Sequence, residues 1–455
     1  MMRVLVILGF AATLGFMALP AAAQSVAPMR TTPLEKFTLK NGLRVILAED
    51  HSAPTFGLAV TYDVGSRDEL PGHTGLAHFF EHMMFQGSEN VGKGEHFLVI
   101  LNNGGTMDGS TSPDRTNYMD SLPANQLDIA LFLEADRMRS LAVTEANVEN
   151  QKRTVQEERR LGTDNRAYGR TREVLVQTVF DNFAYQHSVG GSMADLDAAS
   201  LADIKEFFRI YYAPNNAVLT LVGDFNPAVA LAKIKTYFES IPAQPTPKRP
   251  DFTEPLQTAE RRTTIEDVFA PTARLDIVFK LSPGNTPDYY AAVLLGRILA
   301  SGRASRLYQT LIKGKQLAEE VRVDLREQRA RSLLDIVIMA KSNADLSELE
   351  KAVDQEITRV QAQPVAQWEL QKACLEERRE RAEWLTSSFF KSMVLGEYAV
   401  FYNEPELVNT IDRKFGAVTA KDVQRVAREY LGATQRTVIT TRPKSTPPRL
   451  SGGAR

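Results

Sequence analysis

The 455-residue sequence holds one cysteine, Cys374, so no internal disulfide can form and a thiolate-rich metal site is excluded. An excess of one charge is also missing. The 54 Lys and Arg stand against 56 Asp and Glu, a formal net charge of −2 with the signs mixed along the chain. That balance gives no electrostatic ground for binding nucleic acid or an anionic membrane. Beyond the N-terminus no apolar run is long enough to span a bilayer. Histidine is scarce: the six lie at 51, 73, 78, 82, 96 and 187, all in the first half. Any metal must be held by these together with Asp or Glu. The remaining composition, 43% hydrophobic and 24% charged, is that of a globular protein, and the length calls for two or more domains.

Residues 1–23 stand apart. Arg3 precedes an apolar run from Val4 to Leu19, followed by Pro20 and Ala21-Ala22-Ala23-Gln24. A basic start, a short apolar segment and a small-residue site read as a secretory signal peptide cut after Ala23. An uncleaved anchor is disfavoured because the run is short for a bilayer, and no Cys follows it to suggest a lipoprotein. The expected location is secreted, periplasmic if the source is bacterial.

The pattern that follows is α+β. Phe37 to Leu47 is strand-like with an Asn41-Gly42 turn, and a second alternating run covers Thr55 to Val64. A helix is expected from an N-cap at Thr74 to about Gln86, before Gly87, with further helices over Leu127–Leu141 and from Thr144 to about Leu161. Ala217 to Val222 reads as a buried strand. Residues 241–257 carry Pro242, Pro245, Pro247, Pro250 and Pro255, an extended linker. The pattern then resumes with a strand from Arg274 to Leu281 and a helix from Tyr289 to Ala300, at an offset of 215 that places Gly302 opposite Gly87. The expected architecture is two related α/β-sandwich-like domains, 34–240 and 258–442. Each has a mainly antiparallel sheet covered by helices, and a disordered tail over 443–455 follows.

Chemistry concentrates in His78-Phe79-Phe80-Glu81-His82. At about 100° per residue, positions 78 and 82 lie roughly 40° apart on one helix face with 81 beside them. Two imidazoles one turn apart can hold a tetrahedral zinc, leaving the carboxylate to reach a water in an open position. Surface polar residues meet such spacing by chance. Here the flanks Leu76, Ala77, Phe79, Phe80, Met83, Met84 and Phe85 leave little room for a solvated face, and burying two His and a Glu without a role is costly. A third ligand is required. In the helix after Thr144 the inward face runs through Val148 and Val155, and Glu158 falls three residues later on that face. Glu157 points away, as a solvated acid.

With these residues the sequence resembles the pitrilysin/insulinase-type zinc metallopeptidases, the inverzincins, which include the mitochondrial processing peptidase. The signature is H-x-x-E-H followed about 75 residues later by a liganding Glu; Glu158 lies 76 residues after His82. Thr74-Gly75-Leu76-Ala77, Phe85-Gln86-Gly87-Ser88, Tyr211 through Ala217 and Val222-Gly223-Asp224-Phe225 extend the resemblance over about residues 34–440. It implies a half-size member with one Zn2+ per chain held by His78, His82 and Glu158, and Glu81 as general base. It also implies a substrate-pairing edge strand over Met107, Asp108, Gly109, Ser110 and Thr111, where many members carry Asn-Ala in place of Asp108-Gly109. An ordinary exposed edge strand is the competing reading of that segment.

Two departures matter. Many members have a Glu where this chain has Gln151, which can hydrogen-bond but adds no negative charge. In the second half, Val293, Gly296 and Arg297 occupy the positions of His78, Glu81 and His82, so no second zinc of this kind can bind there. Where members carry a substrate-side Arg and Tyr, this chain has Ile312 and Glu319. The expected function is therefore a zinc endopeptidase acting on peptides or unfolded segments, the catalytic subunit of a heteromeric clamshell whose metal-free partner supplies the Arg/Tyr pair. The alternatives are a non-catalytic peptide-binding or scaffold subunit, and an exported zinc buffer, for which the expected His-rich or acidic loops are missing.

Overall fold

Runs of alternating and β-branched residues set the strands β1 (Glu35–Thr38), β2 (Arg44–Glu49), β3 (Thr55–Tyr62), β4 (Thr106–Thr111), β5 (Thr116–Pro123) and β6 (Ala217–Gly223). They form one sheet in the order β1-β2-β6-β3-β5-β4. In this computed structural model, which describes residues 31–444, a second sheet joins β7 (Arg261–Asp267), β8 (Arg274–Lys280), β9 (Ala318–Arg326), β10 (Leu333–Ala340) and β11 (Arg436–Pro443) in the order β7-β11-β8-β10-β9. Only the β2–β6 and β7–β11 pairs are parallel; the others are antiparallel. Without β1 the two orders correspond strand for strand, so the repeat extends to topology and the α+β expectation holds. The signal-peptide reading lies outside the described residues, as does the tail beyond Lys444. Among the described residues no helix is long and apolar enough to cross a membrane.

One face of each sheet packs on its own helices. The first core gathers Val45, Leu58, Val60, Phe79, Phe80, Met83, Leu131 and Ile234, and the second Ile277, Phe279, Leu294, Ile298, Val353 and Val426. The opposite faces are covered by exchange. The Ser388–Tyr402 helix lays Leu395, Ala399 and Val400 against Ala48, Val222, Ile46 and Val218 of the first sheet. The approach is close: a Cβ on Gly57 would stand 2.3 Å from the Ser388 carbonyl oxygen, and one on Gly396 2.2 Å from Thr61 Oγ1. In return the Thr171–Val179 helix packs Leu175 and Val179 on Val278, Leu333 and Ile439, with the Thr171 and Thr441 hydroxyls 2.8 Å apart.

The Pro-rich segment contains neither helix nor strand but is pinned along its length. Arg249 bonds Asp68 at 2.9 Å and Asp63 at 3.0 Å, buried Glu254 pairs with Lys280, and the Gln257 amide donates to the Arg436 carbonyl at 2.6 Å. Half-buried ions also cross between the halves. Arg329 of the second half reaches Asp63 at 2.8 Å and, through its backbone N–H, Asp114 at 3.2 Å, the same carboxylate to which Arg67 of the first half donates at 2.6 Å.

Candidate metal centre

The motif helix runs Leu76–Met83, shorter at both ends than its sequence pattern suggests. Gly75, at φ 91, is its N-cap, because the chain turns there through a left-handed conformation that Gly adopts without strain. Thr74 is turned away: its hydroxyl and backbone N–H both donate to Asp195, at 2.5 and 3.1 Å. The missing cap is supplied from outside the helix by Glu69, whose carboxylate accepts from the N–H groups of Gly75 and Ala77, each at 2.8 Å.

Leu76, Ala77, Phe79, Phe80 and Met83 are buried, and Phe80 stacks between Phe207 and Phe208 at centroid distances of 5.7 and 5.8 Å. Tyr118 OH also donates to the Phe80 carbonyl at 2.9 Å. This anchoring turns His78, Glu81 and His82 to the other face, where they are half-buried. The second helix, Glu145–Arg159, starts at Thr144 as expected, with the Thr144 hydroxyl accepting from Asn147 N–H. Its buried face carries Val148, Gln151 and Val155, and so brings Glu158 to the motif helix.

The three expected ligands meet. His82 Nε2 lies 3.0 Å from Glu158 Oε2 and His78 Nε2 lies 3.8 Å from Glu158 Oε1; one ligand atom from each residue falls within 4.8 Å of the others. Burial, helped by the neighbouring His82, lowers the His78 pKa and keeps its imidazole neutral, the form that ligates. The hydrogen bond from His82 lowers that of Glu158 and keeps it ionised. His78 Nδ1 is buried without a partner, so no protein group fixes the tautomer of that ring. Two imidazoles and one carboxylate, with Glu158 half-exposed, match the donors that catalytic zinc sites use and could hold a metal ion. Glu157 stands apart, exposed and paired with Arg160.

Met107 to Thr111 form β4, the free edge of the first sheet, directly beside Glu81. Thr111 Oγ1 donates to Glu81 Oε2 at 2.6 Å, and a Cβ on Gly109 would stand 3.1 Å from Glu81 Cγ. Arg115 holds the strand from its turn, donating to the Ser110 carbonyl at 2.8 Å and, through Nε, to Glu397 of the covering helix at 2.7 Å. Asp108 is exposed and accepts only its neighbour's N–H. In the second half, Ile312 packs against the second core and Glu319 lies exposed on β9.

Another His/Asp/Glu group, His96, Asp120 and Glu134, also lies within ligand spacing but is wholly buried. Arg137 occupies it, donating to Glu134 at 3.0 Å and lying over the Tyr118 ring at 4.5 Å. With a guanidinium already in place and no access for substrate, it is a buried ion cluster behind the site. Sequence reasoning missed Glu69, His187, Arg115 and Glu397, whose partners lie far along the chain or are backbone groups.

The family model described as insulinase, peptidase family M16, matches residues 44–192, and that described as peptidase M16 inactive domain matches 198–376. The chain is 29% identical to the zinc protease PqqE of Helicobacter pylori over 92% of this chain and 94% of that protein. It is 23% identical to a probable mitochondrial-processing peptidase subunit beta of Schizosaccharomyces pombe over 91% and 92%. A crystal structure of a protease from Helicobacter pylori superposes with a TM-score of 0.86 at 28% identity, covering 90% of this chain and all of that one.

Proposed function

The chain belongs to the M16, insulinase-type peptidase family, and from that premise we propose that it is a zinc-dependent endopeptidase acting on peptides or unfolded segments, with His78, His82 and Glu158 as metal ligands and Glu81 as general base. The observation that carries this reading is the convergence of the three ligand atoms within 4.8 Å, beside a carboxylate on the same helix face. Zinc, when bound, would acidify water and polarise the scissile carbonyl.

The rest falls to the protein. Glu81, oriented by the Thr111 hydroxyl, accepts the proton of the attacking water and delivers it to the leaving nitrogen. The edge strand β4 presents free backbone groups to an extended substrate, so recognition rests on main-chain pairing as much as on side chains. Without an Arg or Tyr at 312 and 319 the substrate side lacks a cation and a phenol. We assign these to a homologous, metal-free partner subunit, in keeping with the relative named as a processing-peptidase subunit. The basic start, apolar run and small-residue site of residues 1–23 support an exported location, periplasmic in a bacterium.

Glu81→Gln separates this reading from a non-catalytic subunit or a zinc buffer. Metal analysis should give one zinc in both forms, while quenched-peptide cleavage, assayed alone and with the candidate partner, should fall by at least about 10²-fold in the variant. Cleavage at the parent rate by Glu81→Gln would remove the role of that residue. A parent that holds zinc but never cleaves, with or without a partner, would favour the non-catalytic reading.

A further inference from the structure

The N-terminus of the metal-binding helix is held by a buried pair that the peptidase reading does not use. Glu69 has a fully buried side chain, and its oxygens accept the N–H groups of Gly75 and Ala77, the latter adjacent to His78. Against it stands His187, 118 residues along the chain. His187 Nε2 lies 2.9 Å from the Ser66 carbonyl and 3.1 Å from Glu69 Oε2, and Nδ1 lies 2.8 Å from the Phe183 carbonyl. A carbonyl only accepts, so both ring nitrogens must carry hydrogen, and the arrangement is satisfied only by an imidazolium.

We propose that His187, as a cation, and Glu69, as its anion, form a positioning pair that fixes the first turn of the Leu76–Met83 helix and thereby the placement of His78, Glu81 and His82 for metal binding. The proposal rests on the zinc reading above. Loss of the His187 proton leaves Glu69 buried without a counter-charge. The carboxylate then stays ionised in the interior with its desolvation uncompensated, a cost relieved by admitting water to the Gly75 and Ala77 amides, and the turn before His78 loosens. Other charges around His187 are already matched. Arg159 and Glu173, which share the adjoining cavity of about 310 Å³, bond each other at 3.0 Å, and Asp195 is taken by Thr74. Hydrogen bonding to Glu69, the charge of Glu69 and the two carbonyls together outweigh burial and raise the His187 pKa above its ordinary value. The pair is therefore intact below that raised value and fails as pH rises through it.

The test is the zinc affinity of the full chain, read by competition with a chromogenic chelator from pH 6.5 to 10, alongside amide exchange at Ala77 and the NMR titration of His187. His187→Gln keeps a donor but no charge. It should weaken zinc about tenfold at pH 7, speed Ala77 exchange in the metal-free chain and abolish the extra loss of affinity that the parent shows at alkaline pH. His187→Lys, which restores a cation, should recover part of the affinity. The parent alone gives an independent reading, because Ala77 protection should fall in step with His187 deprotonation. Unchanged zinc affinity in His187→Gln, or Ala77 protection indifferent to the His187 titration, overturns the positioning pair. A parent that binds no zinc overturns the metallopeptidase reading as well, so the two failures are distinct.

Discussion

At Gly396 the two halves approach closely, and replacing it with Ala sets two effects of known sign against each other. In an ordinary helix interior Gly→Ala stabilises by about 1 kcal/mol. Here the added methyl would stand 2.2 Å from Thr61 Oγ1 and 3.2 Å from Thr61 Cβ, with Thr61 itself fully buried in the central strand β3. Neither side can retreat freely, because the same helix packs Met393 and Leu395 on Met119 and Ala48. Overpacking of this kind costs about 1–3 kcal/mol. We therefore expect Gly396→Ala to destabilise the chain by roughly 1 kcal/mol in urea unfolding, an overpacking cost of about 2 kcal/mol less the helix gain of about 1 kcal/mol. In a Thr61→Ala background the clashing oxygen is gone and Gly396→Ala should turn neutral or stabilising, a coupling of about 2 kcal/mol between the sites. Displacement should also reach the candidate site, since the adjacent Glu397 holds Arg115, which holds the β4 carbonyl of Ser110. On the peptidase reading KM rises in the single variant while zinc content stays at one. A Gly396→Ala chain that is about 1 kcal/mol more stable than the parent, with no coupling to Thr61, would refute the close-packing argument.

Two further predictions address the metal centre. Glu158→Gln should weaken zinc by at least about tenfold, with Glu157→Gln as the matched control that leaves affinity unchanged, both read by chelator competition; equal effects would mean that the helix face was misassigned. Thr111→Val removes the hydroxyl that donates to Glu81 at 2.6 Å. A hydrogen bond to a charged group contributes about 1.5–3 kcal/mol, so peptide hydrolysis should fall roughly tenfold or more with zinc affinity unaltered, and a variant of parental rate would remove Thr111 from the site.

What could be read from the sequence was local. His78, Glu81 and His82 share a face because helical geometry fixes it, and Val148 and Val155 define the inward face that carries Glu158. Strand alternation likewise located β2, β3, β6 and β8, and the offset of 215 anticipated two sheets of matching order. The helix start was misplaced by the preference of Thr for N-caps, since Asp195 claims that side chain from 121 residues away. The exchange of covering helices left no trace in periodicity. A helix buried against a distant sheet has the same apolar stripe as one packed on its own, and only Gly57 and Gly396 mark the contact. The pinned linker was unreadable for the same reason: Arg249 and Glu254 look like solvated charges until their partners are brought beside them.

The second half carries a side-chain cation at the position of the first half's candidate metal site. Arg297 stands at the position of His82 and reaches Glu377 and Glu380 on the Gln367–Leu385 helix, which packs there as the Glu158-bearing helix does in the first half. Its Nε and both terminal nitrogens donate to these carboxylates, so the positive charge a divalent ion would bring is built into the chain. Gly296, at the position of Glu81, faces Val323 of β9, where a Cβ would stand 3.2 Å from Val323 Cγ2, and supplies no base. A guanidinium has no open coordination position and cannot acidify water, while its planar fork binds carboxylates without any metal supply. On the zinc reading the two halves would hold facing helices together in parallel ways, by a metal between two imidazoles and Glu158 in the first and by the Arg297 guanidinium between Glu377 and Glu380 in the second. On that reading only the cation of the first half would be exchangeable, so chelation should loosen the helices and stop peptide hydrolysis there together, while the Arg297 cluster stays unaffected.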